Sequence, residues 1–174
     1  LHSQLWFLPK TNGSKLQHRI KALASALMQH DWIGRNFNVI CVYSNAGSDK
    51  ITVSKKGAFP LGGEIVFQPS FCKGGMDLDP ETGKHSLKTC IQKYESDCRN
   101  NGRGLIILAQ DKLKLGVSLP CVDIVVLLDD SKNPDERVQK MYRALTESDN
   151  KRCGFIVDMN YFRCMNSIIE YQLT

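Results

Sequence analysis

The seven cysteines, Cys41, Cys72, Cys90, Cys98, Cys121, Cys153 and Cys164, contain no C-x-x-C spacing. An odd, scattered set of this kind argues against both a structural zinc site and a disulfide framework. Buried, reduced thiols in a reducing, intracellular compartment are expected instead. Long apolar runs are missing as well. The longest aliphatic stretches, Leu105–Ala109 and Ile124–Leu128, fall far short of the roughly 18–20 residues that a membrane span requires, and no secretory signal opens the chain. No low-complexity tract, internal repeat or dividing linker interrupts the 174 residues, and hydrophobic residues at 42% with charged residues at 24% exclude a wholly disordered chain. Charge of neither sign dominates. The 23 Lys and Arg stand against 18 Asp and Glu, a formal +5, which permits contact with nucleic acid and equally suits an ordinary hydrated surface. One domain over residues 1–174 is the expectation. Because the first residue is Leu1 rather than Met, the chain reads as a piece of a longer protein.

Short β-rich runs alternate with amphipathic helical stretches, the pattern of an α/β protein with a mostly parallel central sheet covered by helices on both faces. Leu5–Leu8 reads as the first strand, closed by Pro9 and the turn-forming Thr11-Asn12-Gly13. From Ser14, the apolar residues Leu16, Ile20, Leu23, Ala24 and Leu27 recur at three- and four-residue steps, which predicts a helix ending near His30. Val39–Tyr43 reads as the next strand. Between Gly47 and Gly83 the pattern breaks into glycines, prolines and two short alternating runs, Ile51–Val53 and Glu64–Phe67, which we read as an inserted excursion containing a β-hairpin. The helical period returns with Leu87, Cys90, Ile91, Tyr94 and Cys98, and Gly102 stands where a helix stop is expected. Leu105–Leu108 is an unbroken aliphatic run suited to a strand covered on both faces, and Asp123–Leu128 and Gly154–Val157 repeat that signal.

Two stretches carry side chains suited to chemistry. Gln110–Pro120 is a polar loop leaving the carboxyl end of a strand, where open α/β sheets bind ligands. In it Gly116 permits close backbone approach, and Gln110, Asp111 and Ser118 offer hydrogen-bonding groups, although a surface turn with an incidental glycine fits the same composition. In Ser131–Ser148, Asn133 as N-cap, Pro134 at the first helical position and Asp135/Glu136 in the first turn specify a helix start. Val138, Met141, Tyr142 and Leu145 are the expected apolar stripe, which leaves Gln139, Arg143 and Thr146 on an adjacent polar face. An Arg projected from such a helix suits phosphate through its planar, permanently charged fork. The alternative is a hydrated face on which Arg143 pairs with Glu147.

The order of these pieces resembles the C-terminal RecA-like domain of a superfamily-two helicase. Leu5–Thr11 resembles that family's motif IV, and Gln110–Pro120 followed by Asp123–Asp129 resembles motif V. Gln139–Thr146 resembles motif VI, usually Q-x-x-G-R-x-x-R. The form Tyr142-Arg143-Ala144-Leu145-Thr146-Glu147, followed by the Gly-Phe-Ile-Val-Asp strand, is especially similar to helicase-like ATPases of large nucleocytoplasmic DNA viruses, which would place the protein in host cytoplasm or virion. The resemblance covers most of the chain except Gly47–Gly83, where it admits a strand-separating pin, a docking surface or a decorative hairpin.

The resemblance implies a RecA-like fold and ATP-dependent unwinding or translocation. DNA or RNA and an N-terminal RecA-like domain of the same protein would be the partners. Gln139 and Arg143 would face ATP held by that preceding domain, with Arg143 as the finger that stabilises charge on the transferring phosphate. Gly116, Ser118 and Thr146 would lie on the nucleotide side. Lys10, Thr11, Asn12, Gln110, Asp111 and Lys112 would approach the nucleic-acid backbone. ATP and Mg²⁺ would be bound mainly by the other domain, because no G-x-x-x-x-G-K-[ST] loop occurs in these residues. Thr146 stands where a second arginine is usual, Tyr142 replaces the usual glycine, and Leu115 and Ser118 depart from the dead-box pattern. A duplex translocase serving viral transcription or packaging, and a catalytically silent RecA-like module that binds nucleic acid or a protein, are the alternative readings.

Overall fold

A computed structural model describes residues 2–10, 14–42, 59–67, 87–110, 113, 118–148 and 151–172. In chain order the elements are β1 (Ser3–Phe7), α1 (Ser14–Gln29), α2 (Asp31–Asn36), β2 (Phe37–Val42), β3 (Ile65–Phe67), α3 (Leu87–Asn100), β4 (Gly104–Ala109), β5 (Val122–Leu127), α4 (Pro134–Met141), β6 (Phe155–Asp158) and α5 (Tyr161–Gln172). The strands form one sheet in the order β3-β2-β4-β1-β5-β6, and every pairing in it is parallel. This is an α/β architecture consistent with a RecA-like fold.

Period-two alternation divides the core between the two faces. Leu105, Ile107 and Ala109 of β4 meet α3 through Ile91 and Cys98, together with Leu5, Phe7, Val125 and Leu127. Ile106 and Leu108 point the other way, onto Ile20, Ala24, Leu27 and Met28 of α1. The central strands β2 and β4 are buried at every residue, as unbroken aliphatic runs in a doubly covered parallel sheet require. At the end of α3, Gly102 adopts φ +70°. Its N–H reaches the Arg99 carbonyl and the next N–H, of Arg103, reaches Cys98, so the last turn closes as a Schellman motif around the predicted glycine.

Three expectations change. Glu64–Phe67 does not belong to a separate excursion: Ile65–Phe67 is the edge strand β3, lying parallel to β2 with Val39 opposite Ile65. The other run assigned to a hairpin, Ile51–Val53, lies outside the described residues. Gly154–Val157 is not a doubly covered strand. As the last strand in the order, β6 has one neighbour among the described residues, and Phe155 and Val157 are 52% and 42% exposed while Ile156 packs against the core. Finally, the helix after Asn133 is shorter than its polar face suggested. It ends at Met141, and residues 142–145 form turns in which the N–H groups of Arg143, Ala144 and Leu145 bond back three residues to Lys140, Met141 and Tyr142.

Of the six described cysteines none is in a disulfide. Cys41, Cys90 and Cys98 are buried, whereas Cys153 is exposed. Burial pushes the Cys98 thiol up to about 11, against a lowering hydrogen bond from Asn38, so it behaves as an apolar, unreactive group. Cys72 lies outside the described residues. No helix among the described residues is long and apolar enough to cross a membrane.

Candidate functional site

The strand order sets which loops meet. Since β4, β1 and β5 are neighbours, the segments that follow them leave the sheet side by side at its carboxyl edge. Main-chain bonds continue past the strands here: Leu8 N–H donates to Ala109 O at 2.8 Å, Leu128 N–H to Phe7 O at 2.9 Å and Met159 N–H to Leu127 O at 3.1 Å. The Gln110 side chain is buried, and its Nε2 reaches the Pro9 carbonyl at 3.4 Å. It therefore ties the loop after β4 to the loop after β1.

Beside this tie lies a charged network that the residue pattern did not reveal. Lys140 is 3% exposed, with its ammonium 2.6 Å from Asp129 Oδ2, 2.8 Å from Glu136 Oε1 and 5.4 Å from the centre of the Phe7 ring. Glu136 also meets Lys10 at 3.3 Å. Arg163 of α5 binds Asp158 at the end of β6 through Nε and Nη2 at 2.8 and 2.7 Å and stands 3.8 Å from Asp129 Oδ1. Five separate pieces of chain, the β1 loop, the β5 terminus, α4, the β6 terminus and α5, are thereby pinned at one edge. A buried cation of this kind is tolerated only because carboxylates surround it. The signal was present as spacing: Glu136, Lys140 and Ala144 follow at four-residue steps and form the inward face of this stretch, and Ala144 is fully buried. The expected stripe is correspondingly wrong in part. Met141 packs against the core, but Tyr142 and Leu145 are 62% and 51% exposed.

Burial pushes the Asp158 carboxyl up, yet hydrogen bonds from Arg163 and the Asn160 main chain outweigh it and hold the group below its ordinary value. A depressed folded value contributes stability that is whole above the unfolded carboxylate pKa of about 3.9 and disappears as pH falls through the lower folded one. Asp158→Asn is expected to lose less stability than the parent chain between neutral pH and pH values below about 4, read by urea unfolding across that interval. An unchanged acid dependence would remove this pair from the account.

The sequence-predicted site residues fall into separate places. Lys10, largely exposed, and Gln110 share the carboxyl edge. Gln139 is exposed on α4, and Arg143 sits half-buried on the turn that follows it; burial pulls its pKa below the ordinary value. That turn is clamped. Gly154 runs so close to it that a Cβ there would lie 2.0 Å from the Ala144 carbonyl oxygen. Thr146 and Ser118 lie at the opposite, amino edge. The Thr146 carbonyl accepts from Lys151 Nζ, which also donates to Val122 at the start of β5, and Ser118 is exposed just before Leu119, whose carbonyl accepts from Val122 N–H. Gln139, Arg143 and Thr146 thus do not share one face of a continuous helix. Thr11, Asn12, Asp111, Lys112 and Gly116 lie outside the described residues. No group of three or more His, Cys, Asp or Glu among the described residues is placed to hold a metal ion.

Compared with protein-family models and with curated proteins, the sequence matches none of them.

Proposed function

We propose that this chain is the second RecA-like motor domain of an ATP-dependent nucleic-acid helicase, working against an N-terminal domain that binds ATP. One observation supports the reading: β4, β1 and β5 are parallel neighbours, so the loop that closes the motif IV-like segment, the start of the motif V-like loop at Gln110 and the start of the helix that leads to the motif VI-like segment lie at one edge. In a parallel sheet this edge is where ligands bind. Arg143 supplies a planar fork for the oxygens of the transferring phosphoryl group. Because it has already lost part of its water, it gives up less hydration when it meets phosphate. Gln139, exposed one helical turn earlier, supplies a neutral donor and acceptor alongside. ATP would bring the phosphoanhydride whose cleavage drives the cycle, with Mg²⁺ held by the partner domain. Lys10 offers its ammonium to a nucleic-acid phosphate, a contact that ignores base sequence and weakens with salt.

The test is ATP hydrolysis and strand separation by the full-length polypeptide that contains these residues, with single-stranded and duplex substrates in turn. Nucleic-acid-stimulated hydrolysis with unwinding supports the helicase reading. Hydrolysis stimulated by duplex without unwinding replaces it with a duplex translocase. No hydrolysis under either condition overturns both and leaves a catalytically silent RecA-like binding module.

A further inference from the structure

At the amino edge of the sheet, away from the Lys10 and Asp129 network, lies a cleft of about 740 Å³, within the range of small-molecule sites. Its walls come from the strand starts and the last turns of α3, with Glu95, Arg99, Asp123, Lys151, Arg152 and Phe155 among them. The two carboxylates are already engaged. Glu95 accepts from Ser3 Oγ at 3.2 Å and from Arg99 Nε at 3.0 Å, and Asp123 accepts from the Ser3 N–H at 3.3 Å beside His2. The cations are not balanced in the same way. Lys151 donates to the Val122 and Thr146 carbonyls at 2.7 and 2.8 Å. Both are neutral, and an ammonium has three protons to give, so one donor and the whole charge remain. Burial pulls the Lys151 pKa down, against the upward pull of Asp123. Arg152 is exposed and makes no ion pair among the described residues. Phe155 turns a half-exposed ring into the same cleft, a flat apolar face of the kind on which nucleic-acid bases stack.

We propose that this amino-edge cleft binds a nucleoside phosphate, its phosphate against Lys151 and Arg152 and its base against Phe155. Anion and ring requirements are met by different walls, which is what distinguishes this ligand class from a bare anion. The site uses neither Gln139 nor Arg143 and lies at the other end of the strands from Lys10, and its Lys151 also holds the Thr146 carbonyl.

Calorimetric titration of the 174-residue chain with AMP, adenosine, inorganic phosphate and a 5′-phosphorylated oligonucleotide tests it. AMP is expected to bind at least tenfold more tightly than adenosine or phosphate. Arg152→Ala, a change at an exposed residue that the fold tolerates, and Lys151→Met each weaken AMP at least tenfold. Phe155→Ser weakens AMP while leaving the weak phosphate binding as it was. Tighter binding of the oligonucleotide than of AMP assigns the same chemistry to a strand terminus, and equal or weaker binding assigns it to the free nucleotide. Absence of AMP binding at millimolar concentration, or binding that survives both Arg152→Ala and Lys151→Met, overturns the proposal.

Discussion

Under the proposed motor function, Arg143→Ala is expected to lower nucleic-acid-stimulated ATP turnover of the full-length protein by roughly 10³–10⁵-fold, the range that an arginine finger contributes in NTPases that use one. That corresponds to about 4–7 kcal/mol of transition-state stabilisation. Folding is expected to survive, because Ala144, which is fully buried, makes a core contact of this turn. Two further contacts hold the course of the turn. Gly154 admits the Ala144 carbonyl at a distance no Cβ would allow, and Lys151 fastens the Thr146 carbonyl to the start of β5. Arg143→Lys keeps the charge but loses the fork, so it recovers little of the rate. A second arginine would soften both losses, but Thr146 occupies that position, and its hydroxyl reaches only the Tyr142 carbonyl at 3.5 Å. Turnover of Arg143→Ala at the parental rate would take this side chain out of the chemistry and the motor reading with it.

The sheet was legible because its signals are redundant. Buried β4 announced itself as an aliphatic run, and α1 and α3 as apolar residues at helical spacing; the Gly102 stop of α3 lies where the left-handed turn requires a glycine. The edges were less readable, since a short alternating or apolar run carries no information about how many neighbours it will have. For that reason Ile65–Phe67 passed as part of an excursion and Phe155–Asp158 as a buried strand. Helix α2 escaped notice because His30, which looked like the end of α1, also caps a second short helix through its ring nitrogen. At the site, residue type misleads just beyond the end of α4, although Met141 packs against the core as expected. Tyr142 and Leu145 look like core residues by type, whereas the inward position belongs to Lys140, a residue type almost never buried without partners. Those partners, Asp129 and Glu136, lie 11 residues away and one turn away, and the first comes into reach because α4 folds back beside the end of β5.

That buried ammonium leads to the second large effect. Lys140→Met is expected to cost about 3–5 kcal/mol, the usual consequence of removing one member of a buried ion pair, out of a total near 5–15 kcal/mol for a domain of ordinary stability. Methionine fills much of the volume and still touches the Phe7 ring, so the loss comes chiefly from the carboxylate left behind. Asp129 is 4% exposed, its Oδ1 accepts no hydrogen bond among the described residues, and its remaining cation, Arg163, stands 3.8 Å away. Glu136 suffers less, because Lys10 still meets it at 3.3 Å. Adding Asp129→Asn to Lys140→Met removes the stranded charge and should return a large part of the loss, which a sum of independent effects would not do. Urea unfolding followed through Trp6 on β1 and Trp32 on α2 reads both variants. If Lys140→Met costs less than about 1 kcal/mol, as an exposed pair would, the ammonium is hydrated and the network does not hold α4 to the carboxyl edge. If the single variant is costly and the double variant recovers, the same pins that stabilise the domain also set the helix from which Arg143 departs.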